Sequence, residues 1–446
     1  MFSTDSLLSF QASNVSKNEG IARQSGIRES FGKFASSTSA HGFQYTVEGS
    51  PYKRVIAVII VLVFVVIAGT FTVSAIKDYM DGPGFNSEYK LVYTKREEPQ
   101  PLDVFAICDI SPWDFNKAKA ANISIEMISF LSYYIFSFEV DRATKDQDKL
   151  AKLDTEYKVL VDKFGSTSNL LDAVTRSCEQ TIFYCKLGTS IEQQGGECCE
   201  KNFNPAVYTT EGKCWGTAGR MAYRQPFPSK PYGLTIGLSI GVDVSGSLDT
   251  SVGPLQAAFH RGIAVVLTGA KDHLVPAAAK RAYLTLPNTL NSVALEKTVI
   301  DSSGLETCVN ADDHKIIADK TRGFRRYSKD NCEINHLQLA TMEHLGCALT
   351  VLPNPDNITE CSPLQTLLFF EELGRRVGGW GVESGCPLDC IQEDYRARLT
   401  SQQVTPTVSA ILALMTNDTE DRDIVAFQIH YPSFDFIQTV QHATVS

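Results

Sequence analysis

The sequence predicts a membrane protein, with one N-terminal transmembrane helix followed by an α+β, disulfide-rich ectodomain. Three observations carry this reading. Val55–Ile76 is an apolar run of 22 residues without a charge. All 12 cysteines lie after that run, between Cys108 and Cys390. Past residue 100, some stretches alternate apolar and polar residues as strands do, and others repeat apolar residues every three or four positions as helices do.

Composition sets the outer limits. With 446 residues, 43% hydrophobic and 21% charged, the chain is too apolar to be disordered and long enough for a sizeable core. A net charge of −10 leaves no basic excess to neutralise phosphates, which argues against a nucleic-acid partner. Residues 1–54 carry a net +2, so the remainder carries −12.

As a helix, residues 55–76 would rise about 33 Å, enough to cross a hydrocarbon core of roughly 30 Å. The run starts too far into the chain and is too long for a cleaved signal peptide. Lys53 and Arg54 precede it, whereas Lys77, Asp78 and Asp81 follow it. The positive-inside bias therefore places residues 1–54 in the cytoplasm as a loose tail and residues 77–446 outside the cell. An even cysteine count on that side reads as a set of disulfides. Three glycosylation acceptors fit the same side, at Asn122, Asn357 and Asn417.

Residues 77–107 look extended and end in the apolar run Val104–Ile107. Residues 116–176 look helical; Leu150, Leu153, Tyr157, Leu160, Val161 and Phe164 line one apolar face. A loop-rich, cysteine-dense stretch runs from Cys178 to Cys214. Leu234–Val244 alternates over its length and reads as a strand, with further strands at Ile263–Leu267, Arg281–Leu286 and Val293–Ile300. Residues 308–390 return to helix and cysteine, where Ser362-Pro363 is a good helix start and Gly374 a plausible stop. Val425, Phe427, Ile429 and Tyr431 mark a last strand.

The search for chemistry yields little. There is no phosphate-binding loop and no His-Glu-x-x-His pair. Gly233, Gly237 and Gly241 sit on a strand and lack the spacing of a dinucleotide fingerprint. His336 and His344 lie two turns apart on one helix and cannot share a metal as an i, i+4 pair would. Cys178-x6-Cys185 and Cys386-x3-Cys390 resemble zinc spacings only loosely, and an oxidising compartment favours disulfides. Adjacent Cys198 and Cys199 each call for a partner elsewhere. On the residues alone the chain is a single-pass glycoprotein with no visible catalytic site, and receptor, adhesion protein, ectoenzyme and channel subunit are all compatible with it.

Five elements in fixed order narrow this. They are His41-Gly42 before the span; Val104-Phe-Ala-Ile-Cys108-Asp-Ile-Ser-Pro112; Cys178-x6-Cys185 followed by Phe203 and Gly212-Lys-Cys214-Trp; Gly233-Leu-Thr-Ile-Gly-Leu with Gly262-Ile-Ala-Val-Val; and Tyr327-Ser-x3-Cys332, Cys347, Leu352-Pro353, Cys361 and Cys386-Pro-Leu-Asp-Cys390-x4-Tyr395. Together they resemble the degenerin/epithelial sodium channel superfamily, the amiloride-sensitive and acid-sensing channels, over roughly residues 30–440.

The resemblance implies a subunit of a trimeric, sodium-selective channel of the plasma membrane, gated through its ectodomain. Its partners would be sodium ions, other subunits in a homo- or heterotrimer, and membrane lipid; no cofactor, metal or catalytic residue is implied. It implies a finger at about 116–230, palm and β-ball strands at about 90–108, 232–300 and 404–431, a thumb at about 308–390, and a knuckle. It implies gating roles for His41, Gly42 and Tyr79. It implies the bridges Cys108–Cys214, Cys308–Cys390, Cys332–Cys386 and Cys347–Cys361, with Cys178–Cys185 as the fifth candidate and Cys198 and Cys199 as rivals. Two further thumb bridges of vertebrate relatives would need cysteines where His336, Ser384, Leu345 and Phe369 stand. The tryptophan expected before Cys308 is also missing, and so is a second, pore-lining helix. The chain is therefore expected to be truncated before its pore and non-conducting alone. The rival reading is a single-pass cell-surface binding or adhesion glycoprotein, or an ectoenzyme.

Overall fold

The computed structural model describes residues 33–34, 50–81, 85–93, 98–132, 147–241, 262–269, 272–305, 307–313, 315–317, 321, 324, 326–375, 385–404 and 423–443. The chain divides into two units, residues 1–84 with 444–446, and residues 85–443.

The first unit holds helix α1 (Pro51–Asp81). Pro51 suits a first helical turn because its missing N–H would be unpaired there anyway. The helix contains the predicted span and extends past both its ends. It is long and apolar enough to cross a membrane. Its large side chains face outward, Phe64 at 66% and Phe71 at 72% exposure, as lipid contact requires. Thr70 and Thr72 donate to the carbonyls of Ile67 and Ala68, 2.8 Å each, so their hydroxyls need no water.

The second unit is built on two large sheets. Its strands are β1 (Phe85–Val92), β2 (Gln100–Pro101), β3 (Phe105–Asp109), β4 (Ile182–Leu187), β5 (Ile191–Gln194), β6 (Val207–Thr209), β7 (Gly212–Gly216), β8 (Arg224–Gln225), β9 (Leu234–Ser239), β10 (Ile263–Leu267), β11 (Ala282–Thr285), β12 (Thr289–Gly304), β13 (Ile391–Gln403), β14 (Ile424–His430) and β15 (Phe436–Ala443). The eight-stranded sheet runs β1-β15-β12-β14-β9-β4-β5, with β13 also paired to β12. The five-stranded sheet runs β11-β10-β3-β7-β6, and β2 pairs with β8. The predicted last strand lies beside the predicted central one: β14 runs antiparallel to β9, with Ile424 opposite Ser239 and Ile429 opposite Leu234.

Strands β4–β7 join the two sheets from within the stretch expected to be finger, and β13 and β15 also fall outside the expected palm ranges. β13 pairs with β12 from Ile391–Asp301 to Gln403–Thr289. Its sequence, IQEDYRARLTSQQ, hides because it is polar and mostly half-buried or exposed, with only Tyr395 fully buried. β15 lies beyond Tyr431 and joins β1 to β12. Strand β9 also ends at Ser239, short of Val244; residues 242–244 lie outside the described set. Both faces of β9 are covered, so its glycines matter. A Cβ on Gly237 would come within 2.7 Å of the Phe183 ring.

Helices α2 (Phe115–Ala120), α3 (Ile125–Leu131), α4 (Gln147–Phe164) and α5 (Thr167–Val174) occupy the predicted helical stretch. The apolar face of α4 packs with Met127, Phe130, Leu170 and Leu171 into a separate core. The sheets bury another, which includes Phe105, Trp215, Ile236, Val265, Val293 and Phe427.

The disulfides correct one expectation. Cys178 pairs with Cys199, and Cys185 pairs with Cys198, so Cys178 and Cys185 do not bond each other. Cys178 opens the short helix α6 (Cys178–Thr181), and Cys185 sits on β4. Cys198 and Cys199 are consecutive on α7 (Gly195–Asn202). Neighbouring helix residues point about 100° apart, so α7 reaches the strand with one sulfur and α6 with the other. All 12 cysteines are bonded.

Candidate functional site

His41, Gly42 and Asn417 lie outside the described residues, and Tyr79 lies within α1 with only its backbone described. Asn122 and Asn357 are exposed and sit at turns in the left-handed region, with φ of 62° and 49°.

The remaining site residues staple segment 308–390. Cys308 bonds Cys390 across 82 positions. Beside that bridge, Val309 N–H donates to Leu388 and Cys390 N–H to Val309, at 2.9 and 3.0 Å. Helix α9 (Lys329–Leu345) is capped by Ser328, whose Oγ accepts from Asn331 N–H at 3.1 Å, and it stops at Gly346 with φ of 68°. Cys332 on its first turn bonds Cys386, and Cys347 bonds Cys361 just past its end. Tyr327 is fully buried, its phenol pushed upward by burial, and donates to the Pro387 carbonyl at 2.6 Å. Gln338 holds Leu349 with both ends of its amide. Helix α10 (Pro363–Arg375) starts at Ser362 with a reciprocal cap: Ser362 N–H donates to Gln365 Oε1 at 2.9 Å, and Gln365 N–H donates to Ser362 Oγ at 3.3 Å. It runs one residue past the expected stop at Gly374.

Cys332, His336 and Cys386 place their ligand atoms within 4.8 Å of one another. Cys332 and His336 form an i, i+4 pair on α9. Both sulfurs are committed to a disulfide, which leaves the imidazole as a single nitrogen ligand and no metal centre in the bonded state.

Two buried polar clusters brace helices α5 and α6 against the sheets. Arg176 follows α5 and donates to Asp109 Oδ2 at 3.0 Å and to the Ser239 carbonyl at 2.8 Å, and it also donates to the Gln180 carbonyl. One guanidinium thus joins β3, β9 and α6. Burial pushes the Asp109 carboxyl up, outweighing the lowering effects of Arg176 and Thr181. Nearby, Lys213 donates to Asp172 at 2.8 Å and to Thr175 Oγ1 at 2.9 Å, beneath the faces of Tyr208 and Trp215. Burial holds the Lys213 ammonium below its ordinary range, while Asp172 opposes that shift.

Gly237-Leu-Ser-Ile-Gly241 has the spacing of a serine nucleophile elbow. The structure removes its chemistry. Such a serine sits on a sharp strand-to-helix turn, whereas Ser239 ends a central strand, is buried, and has no hydrogen-bond partner at Oγ. It lacks the base that would activate it.

The family model described as amiloride-sensitive sodium channel matches residues 34–446. No curated protein matches the chain.

Proposed function

We propose a channel role for this chain from one premise: it belongs to the amiloride-sensitive sodium channel family. Membership makes it a sodium channel subunit. The family is one of ion channels rather than enzymes, and its channels sit in the plasma membrane and assemble from several subunits.

The finer reading is a homo- or heterotrimer gated through the disulfide-bonded domain, with residues 1–54 in the cytoplasm and that domain outside. Segment 308–390 serves as thumb, the helices within residues 116–230 as finger, and the two sheets as palm and β-ball. His41, Gly42 and Tyr79 act in gating. The match over residues 34–446 carries this reading; the stapled segment 308–390 supports it.

Among the described residues one helix is long and apolar enough to span a bilayer. An enclosed ion path needs polar groups along its wall. Expressed as these 446 residues alone, the polypeptide is expected to carry no sodium current. Coexpressed with a full-length family member, it co-purifies with it and lowers its amiloride-sensitive current. An unchanged current without co-purification overturns the reading.

Orientation has its own test. Asn122 and Asn357 are exposed, so each receives a glycan if the domain faces the secretory lumen. Asn122→Gln and Asn357→Gln each remove one glycosidase-sensitive mobility step. Unmodified asparagines at both positions would place the domain in the cytoplasm.

A further inference from the structure

Three separate elements send a carboxylate to one guanidinium. Arg281 closes helix α8 (Leu274–Arg281). Its Nη1 lies 3.2 Å from Asp272 Oδ2, in the turn before the helix. Its Nε lies 3.3 Å from Asp394 Oδ1 on β13, and its Nη2 lies 3.9 Å from Asp330 Oδ2 on α9. All four side chains are largely shielded, with 13–21% of their surface exposed, which limits screening by salt. Lys280 adds a contact to Asp330 at 2.6 Å and a longer one to Glu333. Asn331 Oδ1 accepts from His273 N–H at 2.9 Å, a second tie between α8 and α9.

The planar fork of arginine suits this arrangement, because its donors point in several fixed directions while lysine offers a point charge. Asp330 stands in the first turn of α9, where a carboxylate is favoured by the helix dipole. Asp394 belongs to the strand that pairs along β12, and β12 pairs in turn with β15 and β15 with β1.

We propose that Arg281 is the positioning residue that couples the thumb helix α9 to palm strand β13, so that a displacement of the thumb is transmitted to the sheet through this ionic hub. The proposal takes its purpose from the channel reading. Its test uses no current, so the two fail separately.

The experiment is hydrogen exchange on the full chain in detergent, following peptides over 329–345 and 391–403. Asp330→Asn, a change on the thumb alone, speeds exchange in β13 as well as in α9, by about tenfold where local stability falls by roughly 1.4 kcal/mol. In an Arg281→Gln background both peptides already exchange fast, and Asp330→Asn adds nothing to β13. Arg281→Lys keeps the charge but restores protection at only one of the two elements. Arg396→Gln is the control. Arg396 also meets Asp394, at 3.5 Å, but is mostly exposed and bridges no second element among the described residues, so its loss leaves α9 unchanged. Equal effects of Arg396→Gln and Arg281→Gln, or a β13 response to Asp330→Asn that persists without Arg281, would overturn the proposal.

Discussion

Gly212→Ala lowers the stability of the disulfide-bonded domain by about 3 kcal/mol or more, through backbone strain and overpacking together. Gly212 has φ of 109°, a left-handed conformation that L side chains rarely adopt. A Cβ there would lie 2.0 Å from the Asp109 carbonyl oxygen and 2.8 Å from Ile110 Cα. Both obstacles are backbone and cannot swing aside. The strand behind them is β3, which pairs with β7 at Asp109–Lys213 and carries the Cys108–Cys214 bridge one step along. Relief of the clash therefore disturbs a bridged ladder. Gly219→Ala is the matched control: Gly219 has φ of 67° but nothing within 4 Å of its Cβ position, and costs only about 1–2 kcal/mol. Thermal unfolding of the purified chain in detergent reads both variants. Equal shifts would show that the close approach at Gly212 carries no weight.

Arg176→Met is the second large effect, about 3–5 kcal/mol, because it leaves a buried carboxylate without its partner. Asp109 is fully buried, and Arg176 is its cationic neighbour at 3.0 Å. The pH dependence separates this loss from a general packing defect. Burial already raises the Asp109 carboxyl above its ordinary range. Between the unfolded and folded values, the native state holds a proton that the unfolded chain releases. Stability contributed by this group therefore falls as pH rises through that window. Removing Arg176 takes away the strongest opposing influence, so the window extends further upward. Arg176→Met is accordingly less damaged in acid than at neutral pH, and adding Asp109→Asn recovers much of the loss. A deficit that is flat with pH, with no recovery in the double variant, would mean that Arg176 acts through its packing alone.

The legible parts of this fold are those whose signal is local. The apolar run of α1, the helical face from Leu150 to Phe164, the alternation in β9 and β14, and the short apolar run of β10 are each written within a few turns or pleats. The reciprocal cap at Ser362 was half legible, from the serine and the following proline, while the part played by Gln365 was not. Strand β13 carried no such signal. A strand with one partner and an exposed far side needs no apolar alternation, and its register is imposed by β12.

The candidate site divides the same way. Four bridges are expected only because the ordered motifs resemble a known family; for Cys178 and Cys185 the rivals Cys199 and Cys198 are the partners, not each other. Spacing along the chain does not say which way a sulfur points from a helix.

What the sequence by itself determined is where the chain can cross a bilayer and which locally patterned segments form strands and helices, since hydropathy and periodicity act between near neighbours. Only the tertiary structure decided that Arg176 reaches Asp109 from 67 positions away and that Arg281 gathers carboxylates from α9 and β13. Charged residues look alike in a sequence whether water or a counter-ion surrounds them. The difference arises when distant segments close over them and the surviving charge must find its partner within reach.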